Sequence, residues 1–208
     1  MRRMVLAIMM SLAMTVSLQA QDESKLSVLI DAGPVFVTGP KGERDVSPWG
    51  LYGGAELAWR INPYWSLVPL SLSYTWLSVD KDKLSGQLGS TITVNEASQS
   101  MLALVPAIQV NTNPESRAMG VFQLGLGWAH TMSDISGVIG GVAGNSAFDE
   151  DDSGDNLLLS LSGSVEGKLS ERLSLTGRLK YWTLFDDDDS GGGNTNGLNV
   201  GLGLRFHF

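Results

Sequence analysis

Apolar residues recur at every second position in eight separate segments of this chain, and the stretches between segments alternate strictly between long and short. A period of two marks β-strands whose two faces meet different environments. The segments lie at 26–37, 50–61, 64–79, 99–110, 117–131, 156–169, 172–185 and 197–208. The long separators are 38–49, 80–98, 132–155 and 186–196, and the short ones are Asn62-Pro63, 111–116 and Ser170-Glu171. Each segment is long enough for a tilted strand that crosses a bilayer, which takes about 9–11 residues. An even number of strands with short turns at one end and long loops at the other predicts an all-β fold: an eight-stranded antiparallel up-and-down transmembrane β-barrel.

The last segment shows which face meets lipid. Leu198, Val200, Leu202, Leu204, Phe206 and Phe208 share one face, and Asn199, Gly201, Gly203, Arg205 and His207 share the other. Closing the sheet inside lipid turns the apolar set outward and leaves the charged set in the lumen. A soluble lipocalin-like barrel would have the opposite polarity. On the apolar parity, Phe36, Trp76, Trp128, Tyr181 and Phe185 gather at the long-loop ends of their strands, and Trp59, Tyr64, Phe206 and Phe208 at the short-turn ends, as two interfacial girdles require.

Arg2 and Arg3 precede an apolar run from Met4 to Met14 and a small-residue stretch closing at Ala20, the pattern of a cleaved secretory signal peptide over residues 1–20. Residues 21–208 then form the barrel. No stretch reaches the roughly 20 apolar residues that a spanning helix needs. The chain has no cysteine, which excludes disulfides, thiolate metal sites and lipoprotein acylation. Loss of the first 20 residues leaves 12 basic against 22 acidic residues, a formal charge of −10, which argues against nucleic acid as a partner.

The ending Gly201-Leu-Gly-Leu-Arg-Phe-His-Phe208 resembles the C-terminal signature of bacterial outer-membrane proteins, with Leu204, Phe206 and Phe208 as the assembly signal. With the leader and eight strands, the chain is similar to the small eight-stranded barrels typified by the OmpA membrane domain and OmpX. The resemblance implies the outer membrane of a Gram-negative bacterium, both termini periplasmic, and acidic loops outside. It implies contact with outer-membrane lipid and lipopolysaccharide, passage through periplasmic chaperones and the barrel-assembly machinery, and a monomer.

Inward parity collects Glu56, Arg60, Glu166, Lys168, Arg178, Lys180 and Arg205, read here as a lumen charge network, since an eight-stranded barrel is just wide enough for side chains to fill. Parity also sends Trp65, Leu67, Leu77, Met101, Ala103, Val105, Met119 and Val121 inward, which makes part of the lumen apolar. Pro69 and Pro106, each lacking a ladder donor, mark either a lateral seam or two bulges. Asp149, Asp151 and Ser153, and again Asp186, Asp188 and Ser190, read D-x-D-x-S-G. That spacing can wrap Ca²⁺, yet position twelve is Ser160 or Gly197 in place of the bidentate Glu, so at most a weak divalent cation is expected and no other cofactor. The histidines are His130, on the lipid-facing parity, and His207, in the lumen; hydrolytic chemistry would require a Ser or Thr hydroxyl within hydrogen-bond reach of one of them.

These features point to a non-enzymatic barrel that supports envelope integrity or presents its four outer loops for binding or adhesion. The alternatives are a narrow channel or lateral conduit for small solutes and, third, a lipid-modifying enzyme. A folded barrel should migrate differently on a gel before and after boiling, and deletion of Phe208 should impair its assembly. A soluble protein with no mobility shift and no effect of the deletion would overturn the barrel.

Overall fold

The structure, a computed structural model, describes residues 25–39, 45–88, 92–141, 144–185 and 194–208. The expected leader lies outside the described residues. Among the described residues there are nine antiparallel strands: β1 (Leu26–Val37), β2 (Trp49–Arg60), β3 (Trp65–Leu77), β4 (Ile92–Leu104), β5 (Ala107–Thr112), β6 (Ala118–Gly141), β7 (Gly144–Ser170), β8 (Leu173–Phe185) and β9 (Asn196–His207). The helix α1 (Lys81–Leu88) precedes β4. β4 and β5 are the two halves of one stave, interrupted at Val105–Pro106, so nine strands make eight staves. Each stave pairs with its sequence neighbours, and β9 pairs with β1 from Ser27–His207 to Val37–Gly197, which returns the ladder to its start. Closure satisfies the backbone groups that lipid cannot.

The polarity follows the expected parity. Leu202 and Leu179 are 69% and 54% exposed, while Arg205, Thr176 and Ser174 are at most 2% exposed. In these two strands the apolar residues are outside and the polar ones inside. Both aromatic girdles face outward, with Trp49 added at the loop end and Trp65 at the turn end.

The inward placement of Trp65 and Leu67 is corrected: both point outward, 46% and 38% exposed. The cause is Pro69. β3 carries one extra residue relative to β2, where Leu57 faces Leu70 but Trp59 faces Leu67, and a bulge of one residue exchanges the faces on either side of it. Ser66 and Val68 are therefore buried before the bulge, and Ser71, Ser73, Thr75 and Leu77 after it. Leu77, Met101, Ala103, Val105, Met119 and Val121 are buried as parity requires.

Two separators hold more structure than their composition suggests. In 80–98, Asp80 caps α1: its Oδ1 accepts the Lys83 N–H at 3.2 Å, a bond that holds the Asp80 carboxyl below the usual carboxylate range. Ser85 Oγ accepts the Val94 N–H at 2.9 Å and Lys81 Nζ donates to Asn95 O at 2.6 Å, so α1 is fastened against the extended start of β4. In 132–155, β6 and β7 continue as one uninterrupted ladder from Ala118–Gly167 to Gly141–Gly144. β8 joins β7 only from Leu157, so residues 144–156 of β7 project past it with β6 as their partner.

Gly127 is required where β6 passes the break between β4 and β5. A Cβ there would lie 2.6 Å from Val105 Cα, a backbone contact with no flexible atom to yield. Gly127→Ala should therefore destabilise the barrel by about 1–3 kcal/mol, measured as urea-induced unfolding in vesicles; unchanged stability would show that the β4–β5 interruption relaxes freely.

Candidate functional site: the barrel interior

Glu56 on β2 is the centre of the lumen. Its Oε1 and Oε2 each accept from an Arg178 guanidinium nitrogen at 2.7 Å, a bidentate pair between staves that are not neighbours. Ser71 Oγ on β3 and Gln123 Nε2 on β6 donate to Oε1, each at 3.2 Å. Arg178 also lies 3.4 Å from Asp31 Oδ2 on β1, and the Tyr52 hydroxyl donates to that carboxylate at 3.3 Å. One hydrogen-bonded unit thus joins five staves across the interior, and Glu56, Asp31 and Arg178 are all at most 5% exposed.

A second pair lies nearer the short-turn end. Arg205 Nε sits 2.8 Å from Glu166 Oε1, both at most 2% exposed, and Arg205 Nη1 donates to Ser27 Oγ at 3.2 Å. Lys180 is buried in the same interior and makes no ion pair among the described residues. The paired charges are tolerated because partners replace the lost water.

Toward the loops the interior turns apolar. Val35, Val37, Leu77, Met101, Ala103, Val105, Ala129, Leu158, Trp182 and Leu184 form one buried cluster. Trp182 is 2% exposed, donates from Nε1 to Asn199 Oδ1 at 2.9 Å, and lies over Gly197, where any Cβ would meet its ring. A cavity of about 20 Å³ opens into the lumen at the turn end beside Arg205, and another of about 270 Å³ at the loop end over Trp182 and Leu184. They share no lining residue, and the Glu56–Arg178 unit and the apolar cluster lie between them.

The expected lumen set is thus partly assembled. Glu56, Glu166, Arg178, Lys180 and Arg205 are buried; Arg60 and Lys168 are on the inward parity but exposed at the turn-end mouth, a correction to their expected pairing in the lumen. Asp31, in the centre of the network, was missed, although its position on the Leu29, Asp31, Val35 and Val37 parity carried the signal.

At the proposed seam, β3 pairs with β5 up to Val68 and with β4 from Leu72, and the Val105 N–H donates to Ser71 O at 2.8 Å across the interval. Pro69 and Pro106 therefore flank a hydrogen-bonded bulge. Asp149, Asp151 and Ser153 are alternate residues of β7, not a loop, and an extended strand cannot wrap three side chains around one ion. Among the described residues no three acidic or His groups gather to hold a metal. Asp186, Asp188 and Ser190 lie outside the described residues.

Both histidines have partners. His130 Nδ1 is 2.6 Å from Asp155 Oδ1, with its ring stacked on Trp128 at 5.8 Å between centroids, on the outer wall. His207 Nε2 is 3.0 Å from Ser174 Oγ, so a hydroxyl does reach an imidazole. Ser174 is only 1% exposed, and His207 has no carboxylate to orient it among the described residues. A serine hydrolase needs both an open nucleophile and an oriented base.

Residues 5–206 match the family model described as the outer membrane protein beta-barrel domain. A search of curated proteins found no match. Among solved structures, Neisserial surface protein A is 14% identical, covering 90% of this chain and all of its own, with a TM-score of 0.56. A major outer membrane protein of Thermus thermophilus is 13% identical over 88% of this chain and 99% of its own, TM-score 0.53. Ail, the attachment invasion locus protein of Yersinia pestis, is 11% identical over 89% of this chain and all of its own, TM-score 0.50. At these identities the likeness is one of fold.

Truncating Arg178 to Met leaves Glu56 and Asp31 buried without their cation. The expected loss is about 3–5 kcal/mol, and the double variant Glu56→Gln with Arg178→Met should recover part of it. Equal stability of Arg178→Met and wild type in urea titrations would show that the pair is solvated.

Proposed function

We propose, from the premise that this chain belongs to the outer membrane protein beta-barrel domain family, that it is a non-enzymatic barrel of the Gram-negative outer membrane whose working surface is its loop end. The observation that carries this reading is the filled interior. A charge unit joining five staves and an apolar cluster above it stand between two lumen cavities of the described residues, an arrangement that favours an occluded lumen over an open aqueous path. The bulge at Pro69 is bridged by the Val105–Ser71 hydrogen bond, so the wall favours a closed barrel over a lateral conduit.

What the fold offers outward is the β6–β7 hairpin. Its projecting β7 half carries Asp149, Glu150, Asp151, Asp152 and Asp155, all exposed, alternating between its two faces. Such a surface serves envelope integrity or attachment through binding, with the termini on the periplasmic side and the hairpin outside the cell. The buried Ser174 and unoriented His207 favour a structural hydrogen bond over hydrolysis.

Two measurements test this. In planar bilayers the chain should show no steady conductance; a reproducible open channel would overturn the closed-lumen reading and favour the narrow-pore alternative. Replacing residues 134–151 by an Asn-Gly turn should preserve heat-modifiable mobility while lowering attachment of expressing cells to coated surfaces. Unchanged attachment with a folded barrel would remove the hairpin from that role.

A further inference from the structure

The turn-end mouth of the lumen is ringed by cations. Lys25 and Arg60 line the small cavity there together with Arg205 and His207. The Arg60 N–H donates to Lys25 O at 2.7 Å, which sets these two residues side by side on adjoining staves. Lys168 and Arg117 are set side by side in the same way, the Lys168 N–H donating to Arg117 O at 2.9 Å, on the inward parity of Glu166 and Met119. Arg60, Lys168 and Arg205 all lie close enough to the His207 ring for their charges to act on it. Lys25, Arg60, Arg117 and Lys168 are exposed at the mouth, and none of them makes an ion pair among the described residues. Glu115 and Glu171, in the adjoining turns, pair with none of them. A recess lined by one sign of charge draws in ions of the other.

Deeper in the same cavity the polar atoms have a different need. Glu166 and Gln109 line it with Arg205, and all three residues are buried. Gln109 Nε2 donates to Asn111 Oδ1 at 2.7 Å, and Asn111 Nδ2 donates to Pro63 O at 3.4 Å, so the Gln109 amide is turned with its Oε1 left over. Glu166 Oε1 faces Arg205 Nε at 2.8 Å, which leaves its Oε2. Gln109 Oε1, Glu166 Oε2 and Arg205 Nη2 are each shut away from solvent without a hydrogen-bond partner among the described residues. Buried polar atoms are ordinarily bonded, so three left over in one recess call for a ligand. The two oxygens require a proton donor and Nη2 requires an acceptor, while the mouth requires negative charge.

We propose that the turn-end mouth is a binding site for a soluble phosphate group in its protonated, hydrogenphosphate form. Its P–OH enters the cavity, where it donates to Gln109 Oε1 or Glu166 Oε2 and accepts from Arg205 Nη2. Its charged oxygens stay among Lys25, Arg60 and Lys168. A cavity of about 20 Å³ has room for one oxygen atom and not for the whole ion, which matches this division. Sulfate carries at least as much charge but no proton, so it would turn a lone pair toward two acceptors. A phospholipid diester lacks the proton as well, and the cations face the lumen, away from the bilayer. The site does not depend on the loop-end reading.

The test is calorimetric titration of the barrel, folded in octyl glucoside micelles at neutral pH and constant ionic strength, with inorganic phosphate and separately with sulfate. Phosphate should bind saturably and at least about threefold more tightly than sulfate, the worth of one net hydrogen bond. Gln109→Met should narrow that preference. Arg60→Gln/Lys168→Gln should weaken both anions by at least about tenfold, since each charge at contact distance in water is worth about fivefold. Lys81→Gln/Lys83→Gln, at the other end, should change neither. Each variant is first shown to fold by heat-modifiable mobility. Glycerol 3-phosphate, titrated alongside, distinguishes free phosphate from a monoester, the tighter binder being the ligand class. Heats that do not saturate would leave the cavity to a water molecule and overturn the proposal. So would sulfate binding as tightly as phosphate, or undiminished phosphate binding by Arg60→Gln/Lys168→Gln.

Discussion

The bidentate contact between Glu56 and Arg178 is the interaction on which the rest of the interior depends. Turning the apolar face of every stave to lipid leaves the other face to fill a space just wide enough for its side chains. That space favours charges that find an opposite charge or a hydrogen bond in place of water. Glu56 meets this requirement by accepting from three other staves, and Arg178 by also approaching Asp31. The contact is non-local in the extreme, 122 residues apart in sequence. It ties the register of distant strands to a single geometry.

The same constraint explains what could be read in advance. Strand positions and the inverted polarity were legible because the solvent on each face imposes the alternation residue by residue, as in Leu202 against Gly201 and Arg205 against Phe206. Most of the lumen charges followed from parity for the same reason. Trp65 and Leu67 were misplaced because parity carries information only within an uninterrupted strand. The extra residue at Pro69 has a sequence cue, the proline itself, but that cue does not say which side of it flips. The hairpin beyond Ser133 was read as a loop because its Gly and Asp content opposes strand formation. Its pairing is supplied by tertiary context: Gly137 leaves room for the Phe148 ring, 2.7 Å from where a Cβ would stand, and Ile135, Val138 and Ile139 suit the pleat. Side-chain partners such as Ser174 for His207 depend on register, and no pattern within a single strand contains it.

A filled interior changes what the two rims can do. In a pore, the rims are vestibules and their charges act on traffic through the lumen. Here the cavity at the turn end is about the size of one water molecule, and the larger one at the loop end stops at Trp182 and Leu184. Under the proposed closed-lumen reading, each rim acts only on what lies outside it. The composition of the two differs accordingly, with carboxylates along the β6–β7 hairpin and unpaired Lys and Arg on the opposite mouth.

That separation has an energetic side. Opposing acidic residues such as Asp134 and Asp151 repel across the β6–β7 ladder just as Lys25 and Arg60 do at the other end. In an aqueous loop the carboxylates are hydrated and screened by salt, so their repulsion is small and the long ladder can carry it. Lys25, Arg60, Arg117 and Lys168 are exposed at the turn-end mouth, so hydration and salt limit their repulsion as well. The two like-charged ends are thus tolerated for the same reason: neither is buried. A barrel closed by the Glu56–Arg178 unit can hold both because its core stability does not draw on either rim.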